Sequence, residues 1–449
     1  MEGCKIKSKY VIFFINIWLL LFLLCACSSE TKPDVQNTIN MDVKASDLNT
    51  LAAIKEFNSK NKVQISITTI TNQQITGNEY RDKRVTSILA GEGPDIILDS
   101  MSSFLSFSKV IESNVLCDLN QFINEDKDLN FSDFYMKVLD MGVIDGKRYF
   151  VPLNFQIPML WSSKRLIENN TIEIDDSKWT FEDLMKIEEK FITDKSTQKY
   201  LFVTDFYTIL QSNWDKYINI AEKKVKFNSD EFIRLLENYK ALHPYILDYY
   251  KLKGPELFIE YMKGNSLLFS FENLSPKSVW INSTAADKVL KSQLGLFLYP
   301  GVDGNNHPIG FAGEFISITN SCKNKKDAYQ FVKLLLSEKF QADEENLSIP
   351  VNRQAYETVL NRYRGDEGNN RLIYNYADAD KPQYTSIPLS DDIIKSMNKF
   401  INNMDSCYYI DANILYIVNE QVESFILGKQ TSAQAANAIQ NRVSIYLNE

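Results

Sequence analysis

Apolar positions along this chain recur in two rhythms. Leu48, Leu51, Ile54 and Phe57 are spaced for one face of a helix, with Asp47 available as its N-cap, and Val63, Ile65 and Ile67 then alternate as in a half-buried strand. Tyr80, Val85, Ile88 and Leu89 predict a second helix that stops at Ala90 to Pro94, after which Asp95-Ile96-Ile97-Leu98 reads as a short buried strand. Lys147 to Leu153 is extended, because Pro152 biases its predecessor away from helix. Thr180 caps a predicted helix with Glu182 and Asp183 in its first turn, and a run of helical bias covers about 230–250. Strands are expected at 266–271, near 294–298 and at 315–318, with a loop at 300–306 and a helix over 326–337. Ile414, Ile417, Val418, Val422, Phe425 and Ile426 form one helical stripe ended by Gly428, and Thr431-x-x-Gln434 is the capping-box start of a last helix to about Leu447. Strands separated by helices, without internal repeat, imply an α/β protein of two lobes.

Composition narrows the picture. With 449 residues, 44% of them hydrophobic, and with Gly (16) and Pro (12) scarce, the chain can bury more than one core and is neither disordered nor collagenous. Acidic residues outnumber basic ones by 58 to 49, which argues against a nucleic-acid partner, since neutralising phosphates needs a basic face. Lys5, Lys7 and Lys9 precede the apolar run from Val11 to Ala26, which is interrupted by Asn16 and is shorter than the roughly 20 residues that span a bilayer. Residues 1–26 therefore read as a secretory signal rather than an uncleaved anchor. The stretch 27–40 is polar and is expected to be a flexible tether.

Reactive chemistry is sparse. Cys117, Cys322 and Cys407 are widely spaced, with no C-x-x-C or Cys/His cluster, so neither a disulfide framework nor a metal site is indicated and each reads as a small core residue. His243 and His307 are each followed by Pro and belong to no metal-binding spacing. No phosphate-binding G-x-x-x-x-G-K-[ST] or nucleophile-elbow G-x-S-x-G occurs, so no catalytic residue and no cofactor is assigned.

Several segments carry a family resemblance. Leu89-Ala90-Gly91-Glu92-Gly93-Pro94-Asp95-Ile96-Ile97 resembles the L-x-x-G-x-x-P-D-I/V segment of extracellular solute-binding proteins of family 1, the substrate-binding components of sugar-type ABC importers. Asn114 to Leu119 is similar to their G-x-L-x-D-L stretch and Asp145 to Pro152 to their D-G-K-x-Y-x-x-P. Ser321 to Phe331, Ile349-Pro350-Val351-Asn352 and Ala438 to Val443 follow in the family's order. Leu24-Cys25-Ala26-Cys27 resembles a bacterial lipobox, which implies lipidation of Cys27. Departures fall where ligand contacts are expected: Leu160 to Lys164 lacks the Y-N-K of many sugar binders, and Phe271 to Leu274 lacks the Trp of some maltodextrin-type members.

The resemblance implies a two-lobed, type II periplasmic-binding-protein-like fold with lobes discontinuous in sequence: 41–152 with 299–338, and 153–298 with 339–449. It implies a monomer, lipid-anchored on the extracytoplasmic face of the cell membrane, that captures a carbohydrate and hands it to ABC permease subunits. A sugar cleft needs flat rings and a few fixed polar groups. Candidates at strand exits and crossovers are Asp99, Ser100, Phe155, Gln156, Trp161, Phe271, Glu272, Phe311 and Glu314, with core packing as the alternative for each ring. A glycan-acting hydrolase using a carboxylate pair, or a receptor for a membrane sensor, are the other readings.

Overall fold

The computed structural model describes residues 37–71, 78–194, 198–247, 259–270, 274–343, 347–365, 371–374 and 383–449. Its first strand, β1 (Thr38–Lys44), turns Ile39, Met41 and Val43 inward, so Thr38 to Asn40, expected to belong to a flexible tether, are part of the first sheet. The polar residues between those three hide their alternation. Cys27 lies outside the described residues. Helix α1 (Leu48–Lys60) is capped by Asp47, whose Oδ1 accepts from Thr50 N at 2.9 Å, and is followed by β2 (Gln64–Ile70), α2 (Asn78–Leu89) and β3 (Ile96–Ser100). Next come α3 (Phe107–Glu112), β4 (Val151–Pro152), β5 (Asn154–Gln156) and β6 (Leu160–Ser163). Helix α4 (Phe181–Phe191) has the full Thr180/Asp183 capping box and leads to β7 (Tyr200–Val203), α5 (Asp230–Leu242) and β8 (Ile246–Leu247).

The predicted 230–250 helix thus stops early. Pro244 has no N–H to continue the ladder, and His243–Tyr245 tightens into a 3-10 turn before β8. The remainder of the chain runs β9 (Ser266–Phe269), α6 (Pro276–Lys288), β10 (Leu294–Phe297), β11 (Ile309–Ala312), β12 (Glu314–Ile318) and α7 (Lys325–Leu335). It closes with β13 (Ile349–Pro350), α8 (Arg353–Arg364), α9 (Asp391–Asn402), β14 (Ser406–Tyr408), α10 (Ala412–Ile426) and α11 (Ser432–Asn448).

Two five-stranded sheets carry the architecture, with a four-stranded sheet between them. The first has the order β2-β1-β3-β12-β4; β1 is parallel to β2 and β3, while β12 returns antiparallel to β3 and β4. The second has the order β8-β7-β9-β6-β10, parallel from β8 to β9 and antiparallel at β6 and β10. The linking sheet, β13-β5-β11-β14, is made of segments through which the chain leaves one large sheet for the other.

The second sheet is buried on both faces, which is why its strands read as continuous apolar runs. Trp161, Val203 and Phe269 point into a core shared with the first sheet, α6, α8 and α9, while their neighbours Leu160, Phe202 and Leu268 point into a core closed by α4, α5, α10 and α11. Residues 299–306, expected with the first lobe, run along this second core instead. Tyr299 OH pairs with Thr204 Oγ1 at 3.0 Å, Gly301 N donates to Trp179 O at 3.1 Å, and Asn306 Nδ2 donates to Trp179 O at 2.8 Å. The return to the first sheet comes later, at β12.

Phe315 of β12 is the hub of the first core, with Phe107, Phe104 and Phe150 at centroid distances of 4.7, 5.6 and 5.8 Å. Phe315→Ala is expected to cost about 3–5 kcal/mol through lost burial and the cavity left behind, read as a lowered urea midpoint.

Candidate functional site

At the carboxyl ends of β1 and β3 the chain leaves a cavity of about 430 Å³ that adjoins a smaller one of about 40 Å³. Both are lined by Lys44, Asp47, Leu98 and Glu314. The larger is completed by Asn154 and Gln156 from the linking sheet and by Phe340, Leu347 and Ser348 opposite. The smaller runs back to Tyr80, Arg81 and Arg84 of α2. Strand register explains the grouping: Glu314 pairs with Ser100 and Phe315 with Asp99 across β12 and β3, so three polar side chains reach the same sheet edge.

Several polar groups on this wall are already held by protein. The Arg84 guanidinium, set over the Phe104 ring at 5.7 Å, reaches Asp42 Oδ2 through Nε at 3.3 Å and Asp99 Oδ2 through a short contact. Asp99 Oδ1 accepts from Ser100 N at 2.7 Å. Glu314 Oε2 accepts from Asn154 Nδ2 at 3.1 Å, while Asn154 Oδ1 accepts from Glu314 N at 2.9 Å. Gln156 Nε2 donates to Ser348 Oγ at 3.3 Å. Glu314 is exposed to the open cavity, and the protein groups crowded around it, followed by the nearby Asp47 charge, raise its carboxyl above the ordinary value.

Ser100, Gln156 and Glu314 therefore meet at the larger cavity, and Asp99 lines the smaller one that adjoins it, with Glu314 common to both. Phe155, Trp161 and Phe311 do not join them: each is 0% exposed and belongs to the core. Phe155 packs edge-on against Tyr135 at 5.3 Å and Phe311 against Trp214 at 6.1 Å, while Trp161 lies between β9 and β10. Alternation decides this, since each ring sits on the inward side of its strand. Phe271 and Glu272 lie outside the described residues. Among the described residues no group of His, Cys, Asp and Glu is arranged to hold a metal ion.

A cavity at the strand exits of the first sheet, flanked by the linking sheet, is an arrangement that can hold a solute, and the profile of the bacterial extracellular solute-binding protein family matches residues 49–342. The chain belongs to that family. Solved structures give the same fold for this solute-binding protein. An ABC substrate-binding protein of Listeria monocytogenes, in complex with cycloalternan, is 17% identical with a TM-score of 0.63, over 92% of this chain and 99% of that one. The sugar-binding protein MalE of Xanthomonas citri is 14% identical with a TM-score of 0.65, over 92% and 97%. A solute-binding protein of Thermotoga lettingae, bound with alpha-D-tagatose, is 16% identical with a TM-score of 0.62, over 92% and 100%. These are binding proteins with two lobes, and none is an enzyme.

The solute-binding protein also has cleft residues that the sequence reading missed. Asp47 was visible only as a helix cap, and Asn154 only as a neighbour of Pro152. Tyr416 of α10 is 48% exposed, and Arg81, which lines the smaller cavity, carries its guanidinium over that ring at 5.8 Å. The available signal was an aromatic residue standing off the apolar stripe of its helix.

The Glu314 shift has a testable sign. A carboxyl raised in the folded state costs stability while ionised, a cost present above its folded pKa and gone once pH falls below the unfolded value. Glu314→Gln should melt higher than wild type at neutral pH, and the difference should vanish near pH 4, as followed by melting temperature against pH.

Proposed function

We propose that this solute-binding protein captures a carbohydrate, by preference an oligosaccharide, and delivers it to an ABC permease from a lipid anchor on the extracytoplasmic face of the cell membrane. The observation that carries the reading is a polar cavity whose carboxylates and amides are pre-set by protein donors, adjoined by a smaller one whose Arg81 lies over the half-exposed Tyr416 ring. Sugar hydroxyls both donate and accept, so fixed acceptors such as Asp47 and Glu314, with the Lys44 ammonium as donor, suit a polyol. Tyr416 offers the flat apolar face that a pyranose ring needs. The bound cycloalternan and tagatose of the Listeria and Thermotoga proteins support the same class of ligand.

In this reading one lobe is built on the first sheet and the other on the second sheet with α10 and α11. They close about the linking strands β5, β11, β13 and β14. Closure is driven by contacts that exist only when both lobes touch the ligand, and the closed form is what the permease recognises. Cys27 supplies the anchor, since two acyl chains, at about 0.8 kcal/mol per buried CH₂, hold durably where one is marginal.

A panel of mono- and oligosaccharides should contain a member that stabilises the protein by about 2.7 kcal/mol at one hundred times its dissociation constant, without being consumed. Tyr416→Ala should weaken that member by between a few-fold and about tenfold. Cleavage of a panel member would overturn the receptor reading in favour of a hydrolase, and a panel with no thermal shift would remove carbohydrate as the ligand.

Anchoring has its own check. Cys27→Ala should leave the protein unprocessed or release it from membranes, and unchanged processing with membrane retention would refute lipidation.

A further inference from the structure

We infer that Asp411 is a positioning residue of the cleft, whose carboxylate ties the segment after β3 to the helix that carries Tyr416. The inference rests on the reading of that cleft as the ligand site. Asp411 is 0% exposed at the N-cap of α10, where Oδ1 accepts from Asn413 N at 3.0 Å. Capping requires no more than that, and Ser or Asn does it as well. Here the second oxygen is buried too, at the cost of desolvating a charge. Oδ2 accepts from Ser108 N in α3 at 3.0 Å and from Tyr446 OH in α11 at 2.8 Å. Burial, and then the Asp411 charge itself, push the Tyr446 phenol well up, so it remains a donor.

Neighbouring pairs run between the same elements. Asn413 Nδ2 donates to Ser106 Oγ at 3.0 Å, and Ser106 holds a left-handed φ of 52° that is unfavourable for a residue with a Cβ. Lys109 of α3 sits over the Tyr446 ring of α11 at 5.3 Å. On one side of this seam the chain has just left Asp99 and Ser103. On the other, Tyr416 stands just over one helical turn beyond Asp411. A buried, charge-assisted set of bonds sets the spacing of those two walls in the unliganded form where exposed pairs would not.

Asp411→Asn keeps the shape and a capping oxygen but turns one acceptor into a donor facing Ser108 N–H and Tyr446 OH. In the unliganded full chain, hydrogen exchange should quicken in both 101–113 and 409–420 and stay at the wild-type rate in 181–191. Affinity for maltotetraose or chitotetraose, measured well below the melting temperature, should fall about 10- to 100-fold, the loss of a hydrogen bond to a charged group. Tyr446→Phe removes one donor and keeps the cap, so it should give a smaller loss in the same direction; it and Ser106→Ala serve if the Asn variant does not fold. Exchange altered in 409–420 alone, or affinity within twofold of wild type, would reduce Asp411 to a cap and overturn the proposal. Should wild type bind neither sugar, the carbohydrate reading fails while the exchange pattern still decides on the tie.

Discussion

A side chain on residue 313 has nowhere to go. A Cβ built on Gly313 would stand 2.1 Å from Asn154 Oδ1, because the Asn154 carboxamide fills the space beside that backbone. The crowding marks the junction of the molecule: Asn154 opens the outward passage through β5, and Gly313 separates the returning β11 from β12. Around this point Gly313 N donates to Asn154 O at 3.0 Å, Leu153 N to Glu314 O at 2.8 Å and Met101 N to Gly313 O at 2.8 Å. The last of these draws in the exit of β3. One close approach thus sets how the outgoing chain, the returning chain and the cavity rim lie against one another, and Glu314 inherits its orientation from it.

The consequence for energetics is that rigidity is concentrated at the crossing and not distributed evenly. The linking strands are short, down to the two residues of β13, and their side chains Phe155 and Phe311 belong to different cores. Side chains that turned out to be core therefore serve the cleft indirectly, by clamping the strands that flank it. Packed aromatic contacts resist gradual deformation, so each crossing strand is held by the core that its ring enters.

Legibility followed the kind of signal each element carries. Helix starts were read correctly where a cap acts through local chemistry: Asp47, Thr180 and the Thr431/Gln434 box all form the bonds their spacing implied. Strand β1 was missed because its three inward residues are separated by Asn40 and Asp42, and Asp42 is polar for a reason outside its strand, its bond to Arg84. In the site, Asp99, Ser100, Gln156 and Glu314 were legible as strand-end residues, since a strand exit is a sequence-level notion. The aromatic candidates were not, because which side of a strand faces the cleft depends on the sheet order. That order sets β11 beside β5 and β12 beside β3, pairings across more than 150 residues of chain. Tyr416 was invisible for the complementary reason: it comes from the far end of the chain.

Charge on the cleft wall argues for the kind of solute it accepts. Arg84 is the group best suited to bind a carboxylate or phosphate on a ligand, since a guanidinium offers a rigid fork of donors. In this protein it is largely buried and engaged by both Asp42 and Asp99. Releasing either aspartate would leave a charge unpaired in a poorly solvated place, so the fork is not free to recognise an anion. Among the described residues that line the larger cavity, Asp47, Glu314 and Asp343 face one cationic residue, Lys44. An acidic ligand would meet like charge and little compensating donor capacity, whereas a neutral polyol places hydroxyl hydrogens toward those carboxylates without adding charge. The charge along the larger cavity thus argues against an anionic solute.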